Sequence, residues 1–185
     1  MGLKGHMEFV VKRKVEGGLL ALRIVLLLLY TVPFLLLSVV LALHALYFAL
    51  PVLAILDAIL ILMTWNRTNQ EYEYVLDGTV LSFAVIRGRN SRRELGSADL
   101  RRVDIFAPAD GPDLARWRGR ADRIRDLRSS SRADNGYFLR IPYADGSSRL
   151  YLFDCFEELL DAVSACNFTA VRRKAGLPKY FPDRL

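Results

Sequence analysis

Hydrophobic and polar positions divide the chain near residue 66. From Ile24 to Trp65, 42 consecutive residues include only His44 and Asp57 as side chains able to carry charge. A bilayer core takes about 20 helical residues, so a run of this length fits two crossings joined by a tight turn. The spacing predicts a first helix at roughly Leu20–Leu43 and a second at roughly Tyr47–Thr64, with His44, Tyr47 and Pro51 marking the turn region. A helical hairpin buried in a soluble core is the alternative. It needs a large covering domain, and the 120 residues that follow are barely enough. Length and hydropathy favour the membrane.

Beyond Trp65 the period changes to two. Glu71–Leu76 reads as a strand with Tyr72, Tyr74 and Leu76 on one face. Asp77-Gly78 is a two-residue hairpin signal, because both positions tolerate positive φ. Further strands are predicted at Thr79–Arg87, Arg92–Leu95 and Arg101–Ala107, with turns at 88–91 and 97–100. Gly136–Tyr143 and Ser148–Phe153 flank a second hairpin signal, Asp145-Gly146. Asp154 then reads as a helix N-cap, with Glu157 completing a capping box. The helix is expected to reach about Asn167, burying Phe156, Leu159, Leu160 and Val163. Six or seven short antiparallel strands closed by one amphipathic helix describe a small split β-barrel of pleckstrin-homology-like plan. The fold class expected is thus a membrane α-helical hairpin plus an α+β domain. Its divisions are a basic segment at 1–19, the hairpin at 20–65, the β domain at 66–170 with an insert at 109–134, and a tail at 171–185.

Charge orients this arrangement. Lys4, Lys12, Arg13, Lys14 and Arg23 precede or begin the first helix, and Arg67, Arg87, Arg89, Arg92 and Arg93 follow the second. The connecting turn holds no Lys or Arg. The positive-inside rule then places both termini in the cytoplasm of a multi-pass protein of the cell membrane. The apolar run is too long for a cleavable signal peptide, and His6 stands where a myristoylation signal wants Ser or Thr.

Several segments together carry a resemblance. Phe9-Val-Val-Lys-Arg-Lys14 lies ahead of the two-helix run. Glu71-Tyr-Glu-Tyr74 follows with its Asp-Gly turn, then Arg89-Asn-Ser-Arg-Arg-Glu-Leu95, then Asp99-Leu-Arg-Arg-Val-Asp-Ile-Phe-Ala-Pro108. With these the chain resembles a family of two-pass membrane proteins of Gram-positive bacteria, without an assigned activity. Its polar part is similar to the bacterial pleckstrin-homology-like domains found beside membrane hairpins. The resemblance implies topology and fold. It carries over no catalytic or ligand residue, and it does not cover the insert at 109–134.

The insert holds the densest charge. Arg116, Arg118, Arg120, Arg123, Arg125, Arg128 and Arg132 stand against Asp122 and Asp126, giving the segment +5. As one helix, it would bring Trp117, Ile124 and Leu127 near one stripe rimmed by arginine. Such a segment suits an anionic leaflet, where each arginine contributes about 1 kcal/mol. A solvated, mobile loop is the alternative. Nucleic-acid binding is disfavoured, since one aromatic and no binding fold accompany the arginines. Arg87, Arg89, Arg92 and Arg93 form a second basic cluster, suited to phosphates or to pairing with Glu94 and Asp99. Arg23 reads as an anchor snorkelling to the headgroups.

Asp57 is the costliest residue, at roughly 3 kcal/mol if ionised near the bilayer midplane. A turn centred at residues 44–45 sets it at the depth of Tyr30 and Thr31, whose hydroxyls would reduce that cost. It serves either as a neutral acid joining helices or as a proton, ion or partner site.

Catalytic chemistry is not expected. Cys155 and Cys166 lie eleven residues apart on one helix, about 16 Å along the axis, so they do not bridge. His6 and His44 fall on opposite sides of the bilayer, and no metal-ligand spacing or phosphate-binding glycine loop is present. No cofactor is implied. Ser129–Ser131 reads as flexible linker or as a phosphorylation target. The expected role is a membrane-anchored cytoplasmic binding or scaffolding module, with lipids or a membrane protein as partner. The alternative is a structural or assembly subunit contacting partner helices through the hairpin and Asp57.

Overall fold

A computed structural model describes residues 6–180 apart from 89, 90 and 144, with the backbone alone at Asn66 and Arg67. It divides into a helical unit centred on residues 15–70 and a β unit built from the rest, the short segment 87–90 falling to the helical unit.

In the helical unit, α1 runs Gly17–Leu43 and α2 runs Ala49–Thr68. At 27 residues, α1 is about 40 Å long. Among the described residues it is the one helix long and apolar enough to cross a membrane by length and composition, and the apolar part of α2, Ala49–Trp65, is shorter. The two helices pack on each other. Residues 44–48 connect them, with Ala45 at φ 57° and the Leu46 N–H donating to the Leu41 carbonyl at 2.9 Å. At the other end Arg23 donates to Thr68 Oγ1 at 3.0 Å and to Asn69 Oδ1 at 2.6 Å, with its guanidinium 4.5 Å from the Trp65 ring centroid. Arg23 thus clamps α1 to the end of α2, a role beyond the anchor read from sequence.

The β unit contains two four-stranded sheets. The first has the order β1 (His6–Lys12), β2 (Gln70–Asp77), β3 (Val80–Arg87), β4 (Ser91–Asp99). The second has the order β5 (Ile105–Pro108), β7 (Gly136–Pro142), β8 (Ser148–Asp154), β6 (Arg123–Asp126). The small antiparallel split β-barrel expected is corrected in part: the barrel is not closed, the strands form two separate sheets, and β6 pairs with β8 in parallel. Both Asp-Gly turns form, with Gly78 and Gly146 at positive φ. The turn expected at 88–91 falls partly outside the described residues.

Three local expectations change. Residues 6–12, read as part of a basic segment, form β1, which pairs with β2 so that Phe9 faces Tyr74 and Val11 faces Tyr72. Phe9 and Val11 alternate into the core, which is what commits this charged segment to a strand. The third strand extends to Asp99, and 100–102 is a 3-10 turn rather than the start of a strand. Asp154 ends β8 instead of capping the final helix. The helix α4 (Glu157–Cys166) follows Phe156 with no side-chain cap, so the acid lies two positions too early.

Tyr74, Phe83, Tyr151 and Phe153 are fully buried between the sheets, with Leu159, Leu160 and Val163 of α4 in the same cluster. Gly96 has φ 151°, and a Cβ there would stand 2.4 Å from the Tyr151 hydroxyl, so this close approach needs glycine. The opposite face of the second sheet buries Ile105, Ala107, Phe138, Leu150 and Leu152. Leu114 and Trp117 of α3 (Pro112–Arg118) cover it. Residues 171–180, expected as a tail, belong to the unit: the Arg172 N–H donates to the Phe106 carbonyl at 2.7 Å and the Val10 N–H to the Tyr180 hydroxyl at 2.9 Å.

Candidate functional site

The arginine-rich insert is neither one helix nor a loose loop. Helix α3 occupies its first part and strand β6 its second. Trp117, Ile124 and Leu127 consequently do not share a stripe. Trp117 packs on the second sheet beneath the guanidinium groups of Arg140 and Arg120, at 5.0 and 5.7 Å from its ring centroid. Leu127 is buried in the main core. Ile124 stays partly exposed on β6.

The segment after β6 fills the seam between β8 and the end of the N-terminal strand. The Leu127 N–H donates to the Leu152 carbonyl at 2.8 Å, and the Lys14 N–H donates to the Ser129 carbonyl at 2.8 Å. The Tyr74 hydroxyl donates to the Leu127 carbonyl at 2.6 Å, and the Ser129 N–H donates to Asp154 Oδ2 at 2.9 Å. Burial pushes the Asp154 carboxyl up, against the lowering effect of the Ser129 hydrogen bonds and the Arg128 charge. Desolvation also raises Asp126, but its hydrogen bonds with Arg128 and that charge outweigh it and hold it below the usual range. Ser129–Ser131 is thus part of the framework.

These contacts sort the predicted arginines. Arg128 is spent on Asp126 at 2.6 Å, and Asp122 accepts from the Ser148 N–H at 2.7 Å. Arg120 leans on Trp117. Arg116, Arg118, Arg123 and Arg125 make no ion pair among the described residues, and all but the half-buried Arg125 are exposed. The strand β6 lies at the end of its sheet, and Arg123 stands in register with Arg149 of β8. Like charges opposite one another are unfavourable without a counter-anion. Arg149 was not singled out from sequence; its only signal is the alternation of β8 opposite a strand the sequence did not reveal. Its guanidinium lies 4.5 Å from the Tyr143 ring centroid. The product is an electropositive sheet edge able to hold phosphate or carboxylate groups.

The second predicted cluster does not assemble in the same way. Arg92 pairs with Glu73 at 2.5 Å and Glu94 at 3.5 Å. Arg87 and Arg93 are exposed, and Arg89 lies outside the described residues.

The polar set expected within the bilayer is also rearranged. The Tyr30 hydroxyl hydrogen-bonds Thr64 Oγ1 at 3.1 Å, which centres the helix register near residue 47 rather than 44–45. Asp57 therefore falls opposite Pro33, Phe34 and Leu37, in a groove that Tyr30 also lines and Thr31 does not. It is half-buried and makes no hydrogen bond or ion pair among the described residues. Among the described residues no group of three His, Cys, Asp or Glu side chains is placed to hold a metal ion.

A family model described as "Bacterial PH-like domain (DUF6106)" matches residues 4–173. No curated protein and no solved structure matches the chain.

Proposed function

The chain belongs to the bacterial PH-like domain family (DUF6106), and on that premise we propose a membrane-anchored binding module whose β unit docks anionic lipid headgroups at the cytoplasmic face. In this reading α1 and α2 both cross the bilayer and both termini are cytoplasmic. The observation that carries the anchor is the apolar surface of the helices. Leu36 is 65% exposed, Ile55 61% and Val39 60%, and no residue of α1 is buried. Soluble monomers rarely expose contiguous apolar patches above a few hundred Å². Lipid removes that cost. Flanking arginines and lysines support the orientation.

The unpaired arginines at the edge of β6 and on α3 support the docking role. Asn69 alone separates α2 from β2, so the β unit stays beside the bilayer and meets headgroups at high local concentration. The proposed role is binding, without a reaction. A second reading, assembly with partner helices, is favoured by the unpartnered Asp57.

The test is hydrogen exchange of the full chain in nanodiscs of phosphatidylcholine, with and without phosphatidylserine. Amides of 113–126 are expected to exchange more slowly with phosphatidylserine, and high salt removes the protection. Replacing Arg116, Arg118, Arg123 and Arg125 by alanine removes about 1 kcal/mol per arginine from the interaction. Equal exchange in both lipids overturns the docking role.

A further inference from the structure

The groove between α1 and α2 has a volume of about 310 Å³ and is lined by apolar side chains of both helices around Asp57, its one charged group. Asp57 stands eight residues from each end of the apolar stretch Ala49–Trp65, at its centre. Two acceptors belong to residues that line this groove. One is the Asp57 carboxylate. The other is the Leu29 carbonyl, which loses its helical donor because Pro33 has no N–H, and Leu29 and Pro33 both line the groove. The one hydroxyl in the lining, on Tyr30, is engaged with Thr64. The groove therefore holds an excess of acceptors in apolar surroundings.

We infer that this groove receives the lysine or arginine side chain of a partner's transmembrane helix. The inference deepens the assembly reading and rests on the helix pair lying in a bilayer. A basic side chain offers several N–H donors and the opposite charge, which satisfies both acceptors together. Ionisable groups within a membrane pair with one another or with backbone carbonyls, and this groove offers one of each. A second copy cannot supply the cation at that depth, because Ile24–Trp65 contains no Lys or Arg. The partner is therefore a different chain.

The experiment reconstitutes the full chain in phosphatidylcholine vesicles with labelled polyleucine transmembrane peptides. One carries a central Lys and its control a central Leu. Energy transfer reports association. The Lys peptide is expected to associate about tenfold more tightly than its control, the factor given by roughly 1.4 kcal/mol. Asp57→Asn abolishes the preference, and Pro33→Ala, which restores a donor to Leu29, weakens it. Equal association of the two peptides, a preference that survives Asp57→Asn, or Asp57-dependent self-association without a Lys preference overturns the inference. Resistance of the vesicle-bound chain to alkaline extraction is scored in the same samples. Retention without a Lys preference overturns the groove alone, and release overturns both the groove and the membrane reading.

Discussion

Each unit places a carboxylate in apolar surroundings, and the two are handled in opposite ways. In the β unit, Asp154 is 1% exposed and accepts from the Ser129 N–H, with Arg128 near enough to oppose the rise in its pKa. Its donors come from the chain itself and close the seam beside β8. In the helical unit, Asp57 is half-buried and has no donor among the described residues. A buried polar group without a partner is expensive, so a fold keeps one only where something compensates. For Asp154 the compensation is internal at Oδ2, whereas its buried Oδ1 has no partner among the described residues. For Asp57 the chain supplies no compensation among the described residues. The same contrast holds for apolar residues: the β unit buries its aromatic rings, whereas the helices present leucine and isoleucine outward.

The largest effect that sharpens the contrast is a pair of truncations. Phe153 meets the rings of Tyr74, Phe83 and Phe106 at 5.6, 5.4 and 5.7 Å. Phe153→Ala should cost about 3–5 kcal/mol in urea unfolding of the full chain in detergent. Leu36→Ala, on the outer surface of α1, should change the same transition by less than about 0.5 kcal/mol. Comparable losses from both would mean that protein, not solvent or lipid, covers α1.

A smaller effect tests the burial of Asp154 by pH. Asp154 has a folded pKa above the ordinary value of about 3.9, so protonation of this group favours the folded state. Its contribution is complete below the unfolded pKa and is lost as pH rises through the folded one. Wild type should therefore gain stability relative to Asp154→Asn as the pH falls through the folded pKa toward the ordinary carboxyl value of about 3.9. Urea midpoints of both proteins across that interval measure it. A difference independent of pH would show that burial does not raise this carboxyl.

The sequence made some of this legible. The apolar run and the two Asp-Gly turns pointed to helices and hairpins because each signal is local. Strand β6 was hidden: Arg123-Ile-Arg-Asp126 offers one apolar residue, and its pairing with β8 joins positions 26 apart. Propensity says little when non-local pairing decides. The signal for β1, Phe9 and Val11 alternating, was present, but the lysines and arginine around it spoke first for membrane orientation. The seven arginines of the insert were visible as a group. Their separation into framework and free cations was not, because it depends on Asp126, Trp117 and the sheet register. At Asp57 a charge inside an apolar run was legible, and its neighbours on the opposite helix were not. The partner hydroxyls were misassigned because a shift of about two residues in the turn centre moves the opposing helix by more than one turn.

Protease protection in bacterial membrane vesicles, after an alkaline wash, tests the anchored topology most directly. The account predicts that the full chain stays with the membranes and that residues 70–180 are cleaved in inverted vesicles but protected in right-side-out ones. Release by the wash, or cleavage of the β unit from the outer face, would contradict it.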